Sequence, residues 1–409
     1  MLSKSVIKSA SCRTSNHLFI WVVAVVMLLQ AMASFGQNVH QLSYNNSSWA
    51  DTNLTAVAGG AGAQFIGVTA FSTSPNNDLH VFYIASSDSH IHQLTYKADL
   101  FGLWVWADED VTVEADGMVA STSYQAPLSG FAIGNAQYVY FCGNDLRMHE
   151  YSYGDGGNWS WVDRNLSTLS GGGTSANCPD SPNYNGLVAF ATTNGQRHVF
   201  YQQGFGSSAI YQLILKGSSW SVENETQATG GAEGDGTWMA GFAIANAQYV
   251  FFEAPNGDIH EYSYGAGGKS AWVDTDVTAA AGGVESDTGS SNGVAAMVVP
   301  GTTQLEVYYY AGSSDLHQMT FENNKWTDEN LSGPAPYLMA QIAAVVTTPN
   351  NQLHVYYAGD SGIYQKYYNG SDWSSGKLTG DSPLGGYLAG GTSSFTMGNL
   401  QYVYYISQQ

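Results

Sequence analysis

Cations are scarce in this chain. Lys and Arg number 12 in 409 residues against 33 Asp and Glu, and the formal net charge is −21. A nucleic-acid-binding surface needs clustered cations to displace phosphate counterions, so that class is nearly excluded. Attraction to anionic lipid is excluded on the same ground. Charged residues of both signs reach only 11%, against roughly 25% in an ordinary soluble domain, so the surface must be polar without being ionic. Cysteine is almost absent as well, with Cys12 near the start and only Cys142 and Cys178 beyond it. Neither has the neighbouring ligands of a metal site, which leaves one bridge or two buried thiols. The chain also lacks G-x-S-x-G, H-E-x-x-H, a Walker loop and paired C-x-x-C. What it has instead is 47 Gly, 27 Tyr and 11 Trp. Such a composition favours many short strands and turns over helices or a parallel α/β sheet.

Residues 1–17 carry Lys4, Lys8 and Arg13 and no acid. The apolar run Leu18 to Leu29 follows, and then Ala31-Met32-Ala33. A basic start, a short apolar core and an A-x-A site read as a secretory signal peptide over 1–33. The run falls short of the roughly 20 residues that span a bilayer. The expectation is a protein of residues 34–409, secreted or extracytoplasmic, with no membrane span after cleavage. Loss of the three leader cations would take the charge from −21 to −24.

One strand-like phrase recurs along the rest of the chain. It is centred on Val81, Val139, Val199, Val250, Val307, Val355 and Val403, each flanked by aromatics. The mean period is about 54 residues, so seven copies account for 34–409. After a turn rich in Asn, Asp, Gly and Ser comes a second phrase: Ile91-His92-Gln93, Met148-His149-Glu150, Ile210-Tyr211-Gln212, Ile259-His260-Glu261, Leu316-His317-Gln318 and Ile363-Tyr364-Gln365. A tryptophan phrase closes the unit, as in Trp161-Val162-Asp163 and Trp272-Val273-Asp274, and a small-residue strand precedes each valine phrase. Four short strands per unit, seven times over, predict an all-β fold: a seven-bladed β-propeller of four-stranded antiparallel blades. The chain opens with Val39-His40-Gln41, a second phrase without a first, and ends with Tyr402-Val403-Tyr404-Tyr405, a first phrase without a second. These halves make a composite N/C-terminal blade that closes the ring and removes exposed edges.

Polar residues recur with the repeat, which marks structure or multivalent binding and not one reaction centre. Histidines 40, 92, 149, 260 and 317 stand one per blade, too far apart to share an ion, so no metal or other cofactor is expected. Asp108-Glu109-Asp110 reads as a solvated turn. Saccharides need a flat aromatic for their C–H face and polar groups for their hydroxyls. Each blade boundary offers both, and several weak sites gain strength by avidity on a repetitive glycan surface. The candidate residues are Glu150, Glu261, Gln93, Gln212, Gln318 and Gln365 from the second phrase. His80, His198, His354, Tyr138 and Tyr249 come from the first, and Trp161, Trp272, Trp326 and Trp373 from the third.

At these residues the chain resembles the fucose-binding propeller lectins of the Aleuria aurantia type, and more loosely the Photorhabdus-type seven-bladed lectins. The segments from Leu353 through Ile363-Tyr364-Gln365 to Trp373, and from Tyr249 through Ile259-His260-Glu261 to Trp272, carry the likeness. The resemblance implies a non-catalytic lectin whose sugars sit between blades, gripped in the family by an Arg before Val-Tyr-Tyr and by the Glu of Ile-x-Glu. Here the Arg position holds His80, Tyr138, His198, Tyr249, Glu306, His354 and Tyr402, and the acid survives only at Glu150 and Glu261. Two alternatives stand beside this expectation. One is a structural or protein-interaction propeller, and the other a single-site glycan hydrolase or lyase. Eight N-x-S/T sequons, among them Asn53-Leu54-Thr55 and Asn330-Leu331-Ser332, arise mostly from the repeat.

Overall fold

The computed structural model describes residues 37–407, apart from 46, 100, 122–126, 173–177, 179–185, 204–207, 237, 287–292, 313–314, 332–340, 360–361 and 380–388. The leader segment 1–33 lies outside the described residues. Twenty-eight strands form seven four-stranded antiparallel sheets. Blade 2 shows the pattern: Ala63–Ser72, Leu79–Ala85, Ile91–Ala98 and Trp104–Asp110 follow one another from first to fourth strand. Blades 3 to 7 repeat it over 128–165, 187–224, 239–276, 295–330 and 342–377. Blade 1 is composite. Asn38–Tyr44 pairs with Leu400–Ser407, setting Val39 opposite Ile406 and Leu42 opposite Val403. First strands touch first strands around the whole circle, the last of them (Ala389–Met397) meeting the first strand of blade 2. The ring is closed.

The core is not one mass but seven wedges, one between each pair of neighbouring blades. Both faces of each second strand are therefore covered, which is why its valine and the aromatics on either side are apolar without alternation. All seven repeat valines are 0% exposed. In five blades the tryptophan at the fourth strand packs edge-on against an aromatic of the preceding blade. Trp161 meets Phe82 at 81°, Trp272 meets Phe200 at 79° and Trp326 meets Phe251 at 79°. Buried tyrosine hydroxyls donate to fixed acceptors, for example Tyr83 to Asp108 and Tyr151 to the Met118 carbonyl.

The phrase that follows each tryptophan now has a mechanical reading. Asn53, Asp110, Asn165, Asn224 and Asp276 each cap a one-turn helix, the side-chain oxygen accepting a backbone N–H three residues on. The next residue is buried, and the one after it is a hydroxyl that accepts the first N–H of the third strand, as Thr112 does from Ile91 and Ser167 from Met148. Three of the sequon asparagines are thus helix caps. Asp108-Glu109-Asp110 is not a turn but the end of a fourth strand. Asp108 accepts from Tyr83, and Asp110 is the cap. The recurring histidines are tethers: Nδ1 of His40, His92, His149, His260 and His317 lies 2.8–3.0 Å from Asp51, Asp108, Asp163, Asp274 and Asp328 of the fourth strand. Cys142 and Cys178 are both buried and free, in the wedge between blades 3 and 4. No helix among the described residues is long and apolar enough to cross a membrane.

Candidate functional site

Each junction brings together the same four positions. Blade n supplies the residue before its repeat valine and the Gln or Glu of its third strand. Blade n+1 supplies its tryptophan and the residue two before its own valine. At junction 2/3 these are His80, Gln93, Trp161 and Gln137, and at junction 4/5 they are His198, Gln212, Trp272 and Gln248. A cavity of about 410 Å³ opens at the first and one of about 610 Å³ at the second. Lys97 and Glu109 line the first, Lys216 and Glu223 the second, and Tyr153 and Tyr264 stand beside the tryptophans.

The floor of each cavity is a hydrogen-bond relay. Gln93 Nε2 donates to His80 Nδ1 at 2.7 Å and to Gln137 Oε1 of the next blade at 2.6 Å. His80 Nε2, which must then carry the ring proton, donates to Thr73 Oγ1 at 3.2 Å. Junction 4/5 repeats the relay through Thr192, His198, Gln212 and Gln248 at 3.4, 2.9 and 2.7 Å. Junction 7/1 repeats it again through Thr347, His354, Gln365 and Gln401 at 3.4, 2.9 and 3.0 Å, with Trp49 edge-on to Tyr356. Burial holds all three imidazoles down to about 4, with Lys97 and Lys216 adding to it at the first two, so the rings are neutral. The relay spends both amide protons of the third-strand glutamine and leaves its oxygen over. Gln212 Oε1 is buried and has no partner.

The remaining junctions are built differently. At 3/4 the Gln137 position is Arg197, almost wholly buried. Its guanidinium lies 4.2 Å over the Tyr138 ring and 5.6 Å from Trp220. Glu150, 0% exposed, is paired by Arg164 at 2.8 Å and by Arg197 at 3.1 Å, and both arginines also reach Asp155. At 6/7 the buried Glu306 accepts from Gln304, Gln318 and Thr320 at 2.6, 2.6 and 2.8 Å, below Trp373 and Tyr308. At 5/6 Glu261 is buried behind Tyr249 and Trp326, and burial pushes its carboxyl up. At 1/2 Gln41 donates to Tyr404 at 2.8 Å.

Of the residues singled out in the sequence, the cavities therefore gather His80, Gln93 and Trp161, and His198, Gln212 and Trp272. His354 and Gln365 share the third relay. Glu150, Tyr138, Glu261, Tyr249, Trp326, Gln318 and Trp373 lie at the other junctions. Sequence reading passed over Gln137, Gln248 and Gln401, the threonines, and Arg197. A signal for them exists: His-Val and Gln-Tyr-Val phrases alternate, with His80 to His198 spaced 118 residues apart and Tyr138 to Tyr249 spaced 111.

No family model matches the sequence, and no curated protein does. Solved structures with the same fold do exist. The Aleuria aurantia lectin, described as a six-bladed β-propeller with a novel fucose recognition mode, aligns at TM-score 0.52 and 17% identity, covering 80% of this chain and 98% of that one. AofleA from Arthrobotrys oligospora aligns at 0.52 and 12%, covering 90% and 92%. SapL1 lectin in complex with α-methyl fucoside aligns at 0.50 and 18%, covering 78% and 97%. At these identities the likeness is one of fold: the chain has the β-propeller architecture of these lectins, carried to seven blades.

Proposed function

We propose that this is a secreted, non-catalytic carbohydrate-binding protein whose saccharide sites are the junctions 2/3, 4/5 and 7/1. The observation that carries this reading is the Thr-His-Gln relay completed by a glutamine of the next blade beside a tryptophan. It holds the Gln137 or Gln248 amide as donor at the cavity, next to an aromatic ring. That is the complement of a sugar with hydroxyls on its edge and C–H groups on its face. The donors and acceptors are neutral, which suits an uncharged saccharide. The fucose recognition reported for similar propellers supports the same class of ligand without naming it here. Recurrence of the relay argues for multivalent binding and against a single reaction centre.

One other reading follows from a particular observation. The salt-bridged junction 3/4 shows polar repeats serving only the fold, and if the open junctions were the same, the chain would be a structural propeller. A glycan array probed with the full chain separates these. Carbohydrate binding predicts saturable binding to a restricted set of saccharides, weakened about fivefold or more at each altered junction by Trp161→Ala with Trp272→Ala, since each wall ring contributes about 1 kcal/mol or more. A structural propeller predicts no saccharide above background.

A further inference from the structure

The spacing of the repeat histidines excludes a metal ion shared between blades but not one held within a single blade. In blade 5, ligand atoms of Asp258, His260 and Asp276 all lie within 4.8 Å of one another. Asp258 belongs to the turn before the third strand, His260 to that strand, and Asp276 to the end of the fourth. His260 is 8% exposed. Its Nδ1 is taken by Asp274 at 2.9 Å, which leaves Nε2 as the ligating nitrogen.

The equivalent groups in three other blades show what the cluster needs. In blade 3 the Asp276 position is Asn165, whose amide donates to Asp145 at 3.3 Å and lies 3.3 Å from His149 Nε2. In blade 6 it is Asn330, donating to Asp315 at 3.1 Å. In blade 2 it is Asp110, but His90 reaches in and places Nδ1 2.8 Å from it. Each of these blades sets a nitrogen donor among the oxygens. In blade 5 two carboxylates and an imidazole converge with no side-chain donor bridging them: the Asn256 amide donates to Asp258 and the Ala279 N–H to Asp276, but neither links one of the three groups to another. We propose that Asp258, His260 and Asp276 bind one divalent first-row cation, zinc being the natural probe, which takes the place that Asn165 and Asn330 fill elsewhere. One imidazole nitrogen and two carboxylates suit such an ion and leave room for water. Asp274 on the other ring nitrogen is the partner that orients a ligating histidine. The ion would staple the turn carrying Asp258 to the fourth strand, stabilising blade 5.

The test uses the full chain, stripped with a chelator and titrated with ZnCl₂ by calorimetry. The expected result is one ion per chain with Kd of about 10 μM or below, and a higher melting temperature with zinc. Asp276→Asn recreates the blade 3 arrangement, so it should keep the metal-free melting temperature while weakening zinc at least about tenfold. Asp274→Asn should weaken zinc too, through loss of the orienting bond. No stoichiometric zinc binding by the native chain, or unchanged binding by Asp276→Asn, would overturn the proposal.

Discussion

Six histidines of this protein divide by environment into two sets with opposite pH behaviour. Burial alone dominates His80, His198 and His354 and holds them at about 4. Burial also pulls down His92, His149 and His260, but there the hydrogen bond and charge of an aspartate raise them above their ordinary value. For the first set the unfolded chain binds protons more readily, so their contribution is intact above pH 6.5 and is lost as pH falls toward about 4. For the second set stability is present below the unfolded value and is lost as pH rises through the folded one. His198→Gln removes one member of the first set. Its unfolding free energy should therefore drop about 2 kcal/mol less than the native protein's between pH 7 and pH 4.5, by 1.4 kcal/mol per pKa unit. Urea unfolding at the two pH values measures this, and an equal drop would show that His198 is not held neutral in the fold.

At the scale of the element, the one-turn helix after the fourth strand recurs in blades 1 to 5. Its first residue is Leu54, Val111, Leu166 or Val277, every one 0% exposed. Blade 4 breaks the rule with Glu225, equally buried, both carboxylate oxygens without a partner. Burial, and then the Glu223 charge, push Glu225 up to about 8. The unfolded chain gives up that proton near pH 4.5, so this carboxyl costs stability increasingly as pH rises from 4.5 to 8. Glu225→Leu restores the residue of the other blades. It should raise the unfolding free energy by about 3 kcal/mol at pH 7 and by much less at pH 4. A pH-independent gain would place its cost in packing instead of ionisation.

At the scale of the whole molecule, two kinds of blade alternate around the ring. Blades 2, 4 and 7 carry His-Val, and blades 3, 5 and 1 carry Gln-Tyr-Val. Seven is odd, so strict alternation must fail somewhere, and it fails at blade 6, where Glu306 takes the first position and closes junction 6/7 with its own hydrogen bonds. Among the described residues the relay forms where a histidine blade is followed by a glutamine blade, which happens three times. The ring itself was legible in the chain, because the repeat valines and the split terminal phrases are local patterns. The site was half legible. His80, Gln93 and Trp161 carry visible phrases, but their completion by Gln137 depends on which faces of two blades meet, and no spacing within one repeat encodes that. Glu150 misled for the same reason: its partner Arg197 is 47 residues away, on the facing strand. Leu79, Leu305 and Leu353 occupy the Gln137 position at other junctions, so leucine there is compatible with the fold. The most direct test of the account is the saccharide-binding stoichiometry of the full chain beside Gln137→Leu/Gln248→Leu/Gln401→Leu, measured by calorimetry with the tightest array ligand. The account predicts three equivalent sites in the native chain and none in the variant, with its melting curve still cooperative. Native binding at a number other than three, or undiminished binding by the variant, would contradict it.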